Sequence, residues 1–168
     1  EGASSASPGG GDDAQAQQFA AFKTLMASPD EEGRRNDVYR DSLGKPTVGI
    51  GHLVQPGDDL KVGDRISDDR VEGFFQGDGQ GALQRARDQA AQARIADPDF
   101  IARLAAVNFQ LGPKTWPGTF PKTWSNILAG DYNGAADEAA NSNWFRQTPR
   151  RVRAFQAALR ALPARPGS

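Results

Sequence analysis

The chain has 168 residues, and at roughly 100–200 residues per domain this length predicts one compact domain with room for a tail. Lys plus Arg number 20 against 21 Asp plus Glu, and the resulting net charge of −1 argues against a polybasic nucleic-acid-binding protein. The lack of cysteine excludes disulfide frameworks, thiolate nucleophiles and cysteine-ligated metals, and the single histidine, His52, excludes a multi-histidine metal centre. No run approaches the roughly 20 apolar residues of a membrane span, so none is expected.

The beginning of the chain is rich in Gly, Ser and Pro and shows no basic-then-apolar leader pattern. Residues 1–12 are therefore predicted to form a flexible linker, residues 13–162 the folded domain and residues 163–168 a C-terminal tail. Because the chain starts with Glu1 and a linker-like segment, we expect a domain of a larger protein or a processed product.

The spacing of apolar residues predicts a mainly helical chain with one small hairpin. Apolar residues three and four apart predict a helix from about residue 13 to 27, and the cap-like run 28–32 predicts a short second helix. β-Branched and aromatic residues on both sides of a turn-like run at 42–45 predict a hairpin over residues 37–54. Further helices are predicted over residues 67–94, 97–111, 120–129, 133–140 and 149–162. Ser67 and Asp97 mark the starts of the first two, and Thr148 is expected to cap the last.

The returning strand of the hairpin is predicted to have one nearly bare face. Side chains alternate along a strand, so Thr47 would share a face with Gly49 and Gly51, and His52 would lie on the opposite face. A bare strip of this kind beside carboxylates suits the close approach of an extended polar ligand such as a sugar chain.

Carboxylates are the remaining candidates for catalysis once thiol and metal chemistry are excluded. Glu32 is predicted at the end of the short helix, Asp41 at the lip of the hairpin turn and Thr47 on the returning strand. Two carboxylates beside a glycosidic bond can divide the work, one protonating the leaving oxygen and the other steering or deprotonating water. The residues alone also allow a structural role, since glutamates cap helices or form salt bridges and aspartate is common in turns.

The segment from Glu32 to Val54 resembles the signature of the phage-type lysozymes, glycoside hydrolase family 24. It has a glutamate, eight residues, an aspartate, five residues and a threonine, followed directly by VGIGH. The similarity covers roughly residues 19–162, and its downstream runs are Ile66-Ser67, Phe74-Phe75, Asn108–Gly112, Gly118–Phe120 and Asn143–Pro149. It implies an α+β, mainly helical, lysozyme-like fold, with a small β-hairpin N-terminal lobe, a larger helical C-terminal lobe and the active cleft between them.

The resemblance implies roles for individual residues. Glu32 would be the general acid, Asp41 the acid that positions or activates water, and Thr47 the hydroxyl of the cleft. No metal or organic cofactor is implied. Substrate-binding roles would fall on four residues, the last of which replaces an asparagine of the family's best-known member: Leu53, Phe109, Thr123 and Glu138.

The resemblance also implies contacts that support the site. His52 would pair with Asp78, which raises the pKa of the imidazole, and Arg151 would approach Glu32. Trp144 is expected to belong to the core of the helical lobe, where most tryptophans of such lobes pack.

Two further patterns have two interpretations each. Gly77, Gly79 and Gly81 alternate inside the helix predicted over residues 67–94, which indicates either a flexible hinge between the lobes or simply lower stability. Residues 139–168 carry arginines and no acid, which predicts either attraction to anionic cell-wall polymers or a solvated helix face.

The predicted function is that of a muramidase, which hydrolyses the β-1,4 bond between N-acetylmuramic acid and N-acetylglucosamine of bacterial peptidoglycan. The alternatives are a non-catalytic peptidoglycan-binding or protein-interaction module on the same fold, and an enzyme for chitin-like chains. We expect a monomer acting on the cell wall in the periplasm of target or host bacteria, as an endolysin, a phage component or a secretion-system effector. In the effector case an immunity protein would occupy the cleft.

Overall fold

The computed structural model of the protein describes residues 9–165, with side chains from residue 13 onward. Within this part of the chain there are seven α-helices, one short 3-10 helix and a three-stranded antiparallel sheet, so the predicted α+β, mainly helical class is confirmed. No helix between residues 9 and 165 is long and apolar enough to cross a membrane. Parts of the predicted linker and tail, residues 1–8 and 166–168, lie outside the described residues.

The helices follow the predicted order. The first begins at Gly9, before the predicted start at residue 13, so residues 9–12 are helical and were wrongly assigned to a linker. A short helix that was not predicted precedes the last one. The helices are α1 Gly9–Ala27, α2 Asp68–Gln92, α3 Pro98–Leu111, α4 Pro121–Ala129, α5 Tyr132–Ala140, α6 Asn143–Gln147 and α7 Pro149–Ala161; the 3-10 helix is Pro56–Asp58.

Side-chain caps explain where two of the long helices begin. The hydroxyl of Ser67 accepts a hydrogen bond from the amide of Arg70 at the start of α2, and the carboxylate of Asp97 accepts from two amides at the start of α3. The predicted cap of α7 was wrong. Thr148 makes no side-chain cap there, because its hydroxyl donates to the carbonyl of Trp144 and accepts from Gln110.

Residues 28–33 form a hydrogen-bonded turn where the sequence predicted a short helix. The amides of Glu31 and Gly33 both donate to the carbonyl of Ser28, each over 3.0 Å, and the amide of Glu32 donates back to Met26. Two amides on one carbonyl close a tight turn and leave no helical repeat to extend. Glu32 is therefore held on a short, well-bonded connection between α1 and the sheet.

The predicted hairpin is a three-stranded sheet of β1 Arg35–Arg40, β2 Pro46–Gly49 and β3 His52–Leu53, in that spatial order. The predicted returning strand is interrupted because the chain reverses at residues 50–51, and both Gly49 and Gly51 have φ of +67°. The alternation of side chains that was predicted along residues 47–53 is therefore absent, because these residues do not form one strand.

The reversal separates the two glycines that were expected to form a bare strip. A Cβ on Gly49 would meet Val71 of α2 at 3.4 Å, whereas a Cβ on Gly51 would lie 2.7 Å from Glu32. The strip was thus a wrong prediction, since one glycine faces the core and the other faces a carboxylate. The expected separation of His52 from Thr47 remains, because His52 pairs with Val48 and not with Thr47.

One continuous apolar core joins the sheet to the helices. On the sheet side Val48 and Ile50 are buried, and in the helical lobe Trp144 is only 5% exposed and packs against Phe155, as predicted for a core tryptophan. Helix α2 connects the two sides, because it packs on β2 and on α3.

Helix α2 runs without a break through the three alternating glycines. Gly77 has open space where a Cβ would lie, whereas a Cβ on Gly79 would come within 2.9 Å of the Phe75 ring and 3.2 Å of the Phe19 ring. Gly79 is therefore required because aromatic rings from α1 and α2 pack against it. No such packing requires a glycine at position 77.

We expect Gly77→Ala to raise the free energy of unfolding by about 0.5–1 kcal/mol, since alanine restricts the unfolded chain and favours the helix. Gly79→Ala, the matched variant, should bring no gain because Phe75 must move. Urea unfolding midpoints measure both effects. An unchanged turnover rate in Gly77→Ala would contradict the hinge interpretation of this glycine, and a reduced rate would support it.

Candidate active site

Glu32 lies on the turn between α1 and β1, with its side chain 22% exposed. Its Oε1 accepts a hydrogen bond from Nη1 of Arg151 on α7 over 2.9 Å, so the predicted contact between these residues is confirmed. The other side of the carboxyl group rests against the backbone of Gly51. Glu32 thus has a fixed position where the turn, the sheet and the last helix meet.

Asp41 follows β1 and closes the turn to β2. Its Oδ1 accepts hydrogen bonds from the amides of Leu43 and Lys45, at 2.9 and 2.8 Å. No hydrogen bond to Oδ2 is found within the described part of the chain. The turn therefore fixes one oxygen of the carboxylate and leaves the other available to accept a hydrogen bond from water.

A row of three side chains crosses the sheet next to these carboxylates. Tyr39 pairs with Thr47, and Thr47 pairs with Leu53, so the three lie on one face. Burial raises the pKa of Tyr39, the negative charges of Glu32, Asp41 and Asp37 raise it further, and the positive charge of Arg35 opposes them.

Thr47 is buried, with 3% of its surface exposed, and its hydroxyl donates to the carbonyl of Lys45 over 3.0 Å. The oxygen of the hydroxyl keeps lone pairs for a donor such as water. Leu53 is 44% exposed at the end of the row, a large apolar surface beside polar groups. Such a surface suits the face of a sugar ring.

Comparison with known proteins matches the same part of the chain. The family description for phage lysozymes fits residues 29–158, which is more than half of the chain. Two proteins of Dictyostelium discoideum, named probable T4-type lysozymes 1 and 2, are each 27% identical over 143 residues, which cover 72% of this chain and 84% of theirs. The peptidoglycan hydrolase gp36 of Pseudomonas phage phiKMV is 31% identical over 126 residues, which cover 74% of this chain but 14% of that protein.

The chain belongs to the phage lysozyme family. This membership confirms the predicted family and makes the chain an enzyme of the lysozyme class. The lysozyme also has the fold arrangement expected for it, a small sheet joined by a long helix to a helical lobe.

The remaining predicted substrate residues of this lysozyme lie in the helical lobe. Phe109 is half-buried and stacks on Phe75, with ring centroids 5.7 Å apart. Thr123 on α4 is only 3% exposed and offers little surface to a ligand. Glu138 on the neighbouring α5 is half-buried, and its side chain makes no hydrogen bond within the described residues. Their roles in binding stay predictions.

His52 is held from both sides. Its Nδ1 contacts Asp78 and its Nε2 contacts Asp58, each over 2.7 Å, and its ring stacks on Phe74 with centroids 3.8 Å apart. The predicted pair with Asp78 is confirmed, and Asp58 is an additional partner. Burial lowers the pKa of His52, but the two carboxylates outweigh it and the net shift is upward.

These shifts predict a pH-dependent stability. Because folding raises the pKa of His52 above its ordinary value of 6.5, the protonated ring stabilises the folded lysozyme. This contribution is complete below pH 6.5 and is lost as pH rises through the folded pKa. The amide of Gln55 and the ring of His52 lower the pKa of Asp58. The contribution of Asp58 to stability is therefore lost only when the pH falls below the ordinary value of 3.8. The cluster should therefore contribute most between about pH 4 and pH 6.5.

We expect Asp78→Asn to lower the free energy of unfolding by about 1–2 kcal/mol at pH 5.5, the size of a partly exposed charged hydrogen bond, and by much less at pH 9. Thermal or urea unfolding at the two pH values measures the difference. Asp137→Asn, which removes an exposed partner of Arg160, is the control and should show no such dependence. An equal loss at both pH values would contradict the charged pair.

The sequence singled out Glu32, Asp41 and Thr47 but missed other residues that the structure brings to them. The turn predicted over residues 42–45 would place Arg40 opposite Thr47, so the observed pairing of Tyr39 with Thr47 could not be read from the sequence. The contact of Gly51 with Glu32 has no local signal, because it depends on the chain reversal. Within the described residues no group of three or more His, Asp or Glu is placed to hold a metal ion.

Proposed function

We propose that this lysozyme is a muramidase, which hydrolyses the β-1,4 bond between N-acetylmuramic acid and N-acetylglucosamine of peptidoglycan. The observation that carries the proposal is the presence of two fixed carboxylates in a member of the phage lysozyme family: Glu32, held on a tight turn by Arg151, and Asp41, held at one oxygen by the amides of its turn. Support comes from the names of the relatives, which are lysozymes and a peptidoglycan hydrolase.

In this proposal Glu32 is the general acid. Glu32 sits on a fixed turn and is partly shielded from water. Because Arg151 donates a hydrogen bond to Oε1, the proton for the glycosidic oxygen is carried on Oε2. Protonation of the leaving oxygen lets the bond break as positive charge develops on the sugar ring.

Asp41 and Thr47 hold the attacking water in the same proposal. The free Oδ2 of Asp41 accepts one hydrogen of the water. The oxygen of the Thr47 hydroxyl, which at 3% exposed must gain exposure as Thr123 does, accepts the other. The water then adds to the anomeric carbon and passes its proton to Asp41. No cofactor takes part in these steps.

Substrate binding is proposed for the exposed apolar face of Leu53 and for Phe109, Thr123 and Glu138 of the helical lobe. Leu53 of the sheet and Glu138 of the helical lobe offer accessible groups, whereas Thr123 would have to gain exposure when a ligand binds.

The decisive experiment is mass spectrometry of the fragments released from purified peptidoglycan in ¹⁸O-labelled water. A muramidase releases muropeptides that end in a hydrated N-acetylmuramic acid, with one ¹⁸O at its anomeric carbon. Fragments ending in N-acetylglucosamine, or in an anhydro sugar, would replace this proposal by another cleavage. Sedimentation with the wall without release would indicate a binding module, and equal cleavage of chitooligosaccharides would move the substrate to chitin-like chains.

The biological setting is also proposed. The phage relative is far longer than its matching segment, which supports a domain that works within a larger delivered protein such as a phage component or a secretion-system effector. The enzyme would then act as a monomer on the cell wall from the periplasm. Co-purification of a small protein encoded beside it, blocking hydrolysis, would support the effector case; no binding by such a protein would argue against it.

A further inference from the structure

Glu31, the residue before the candidate acid, is a buried carboxylate between two arginines. Its side chain is 5% exposed, and its Oε1 accepts a hydrogen bond from Nη1 of Arg103 on α3. Its Oε2 lies 2.9 Å from Nε of Arg151 on α7. A carboxylate this buried is stable as a charge only because both guanidinium groups compensate it.

Arg151 therefore binds two successive carboxylates. Nε contacts Glu31 and Nη1 contacts Glu32, both over 2.9 Å, while Nη2 is buried without a hydrogen-bond partner in the described part of the chain. The planar guanidinium has a fixed orientation when two of its nitrogens are bound. The position of Glu32 thus depends on how Arg151 is held by Glu31.

Charges in this cluster balance. When Glu32 is ionised, Glu31 and Glu32 carry two negative charges, and Arg103 and Arg151 carry two positive ones. Other charged or titratable groups on the neighbouring elements include Tyr39 and Arg35 of β1, Asp41 of the turn that follows it, and an exposed pair, 3.5 Å apart, between Asp30 and Arg150 of α7. None of the latter contacts Glu31 by a hydrogen bond within the described residues.

We propose that Arg103 is a positioning residue for Glu32, acting through Glu31 and Arg151. This inference rests on the proposed role of Glu32 as the general acid. Without the charge of Arg103, Arg151 becomes the sole partner of both carboxylates and is drawn to the more buried one, Glu31. Glu32 then loses its fixed orientation, and the excess negative charge of the cluster delays the loss of the acid's proton as pH rises.

The test is the pH profile of peptidoglycan hydrolysis by Arg103→Met in the full chain. We expect kcat to fall about tenfold with KM little changed, because a misplaced acid affects turnover more than binding. The alkaline limb of the profile should move to higher pH. Arg103→Lys, which keeps the charge, should stay close to the parent, and Arg160→Met is the control for loss of an exposed arginine.

A double variant separates this role from a merely structural one. Arg103→Met with Glu31→Gln restores the charge balance of the cluster, so the alkaline limb should return to its position in the parent. Far-UV circular dichroism and unfolding midpoints show whether each variant is folded; if Arg103→Met fails to fold, Arg103→Gln and the double variant provide the same comparison.

Two results would overturn the inference. The first is an unchanged rate and pH profile in Arg103→Met. The second is a loss of rate in Arg103→Met that leaves the alkaline limb in place and that the double variant does not reverse. Failure of the proposed function would look different, since the parent itself would release no fragments. In that case the ¹³C shift of the Glu32 carboxyl group, followed against pH by NMR, tests the same coupling without turnover. No difference between parent and Arg103→Met would again overturn it.

Discussion

Glu32→Gln is expected to reduce the release of muropeptides by about a thousandfold, within the range that removal of a general acid produces. Glutamine keeps the shape of the side chain, and its carbonyl oxygen can still accept the hydrogen bond from Arg151. What it lacks is a proton of suitable acidity for the glycosidic oxygen. The fold should therefore persist while turnover is lost.

The measurement is the initial rate of fragment release at several pH values, together with the unfolding midpoint of the variant. Glu72→Gln is the matched control, because Glu72 is an exposed carboxylate of α2 paired with Lys23 and lies outside the proposed site. Retention of more than about a tenth of the parent rate would remove Glu32 from the role of acid. The control should hydrolyse as the parent does.

Gly51→Ala is expected to lower kcat by about a hundredfold, although residue 51 has no functional group. The added Cβ would lie 2.7 Å from both Cγ and Oε2 of Glu32, closer than any real contact. The carboxyl group must move, and it cannot move freely because Arg151 and the turn hold it. A displacement of roughly 1 Å at a reacting group can reduce the rate by this amount.

Backbone strain must be separated from this displacement. Gly51 has φ of +67°, so alanine there also costs about 1–2 kcal/mol of stability. Gly63→Ala is the matched control, since φ at Gly63 is +96° and no atom lies within 4 Å of the added Cβ. We expect both variants to lose stability and only Gly51→Ala to lose turnover. Equal rates for the two variants would contradict the steric account of Gly51.

Local patterns were sufficient for the parts of the fold that depend on residues close in sequence. The starts of α2 and α3 were predicted from Ser67 and Asp97, because an N-cap binds amides only two or three residues ahead. Thr148 shows the limit of the same rule. Its hydroxyl was expected to cap α7 but accepts a hydrogen bond from Gln110, a residue 38 positions away.

The sheet shows a second limit. Alternation along residues 47–53 predicted a single strand with a bare glycine face, but the chain reverses at residues 50–51. Period-two patterns cannot reveal a reversal inside a run of small and β-branched residues. The contact of Gly51 with Glu32 follows from that reversal, and so does the placement of Gly49 against α2.

The sequence by itself determined the family and the candidate catalytic trio, because Glu32, Asp41 and Thr47 lie within sixteen positions at a specific spacing. The family resemblance also implied that Arg151 approaches Glu32, a contact made across 119 positions. Only the tertiary structure showed that Glu31 takes part, joined to Arg103 across 72 positions and to Arg151 on the last helix. Such ion pairs form where helices and turns distant in sequence pack together, so their partners are set by packing and leave no periodic or local signal in the chain.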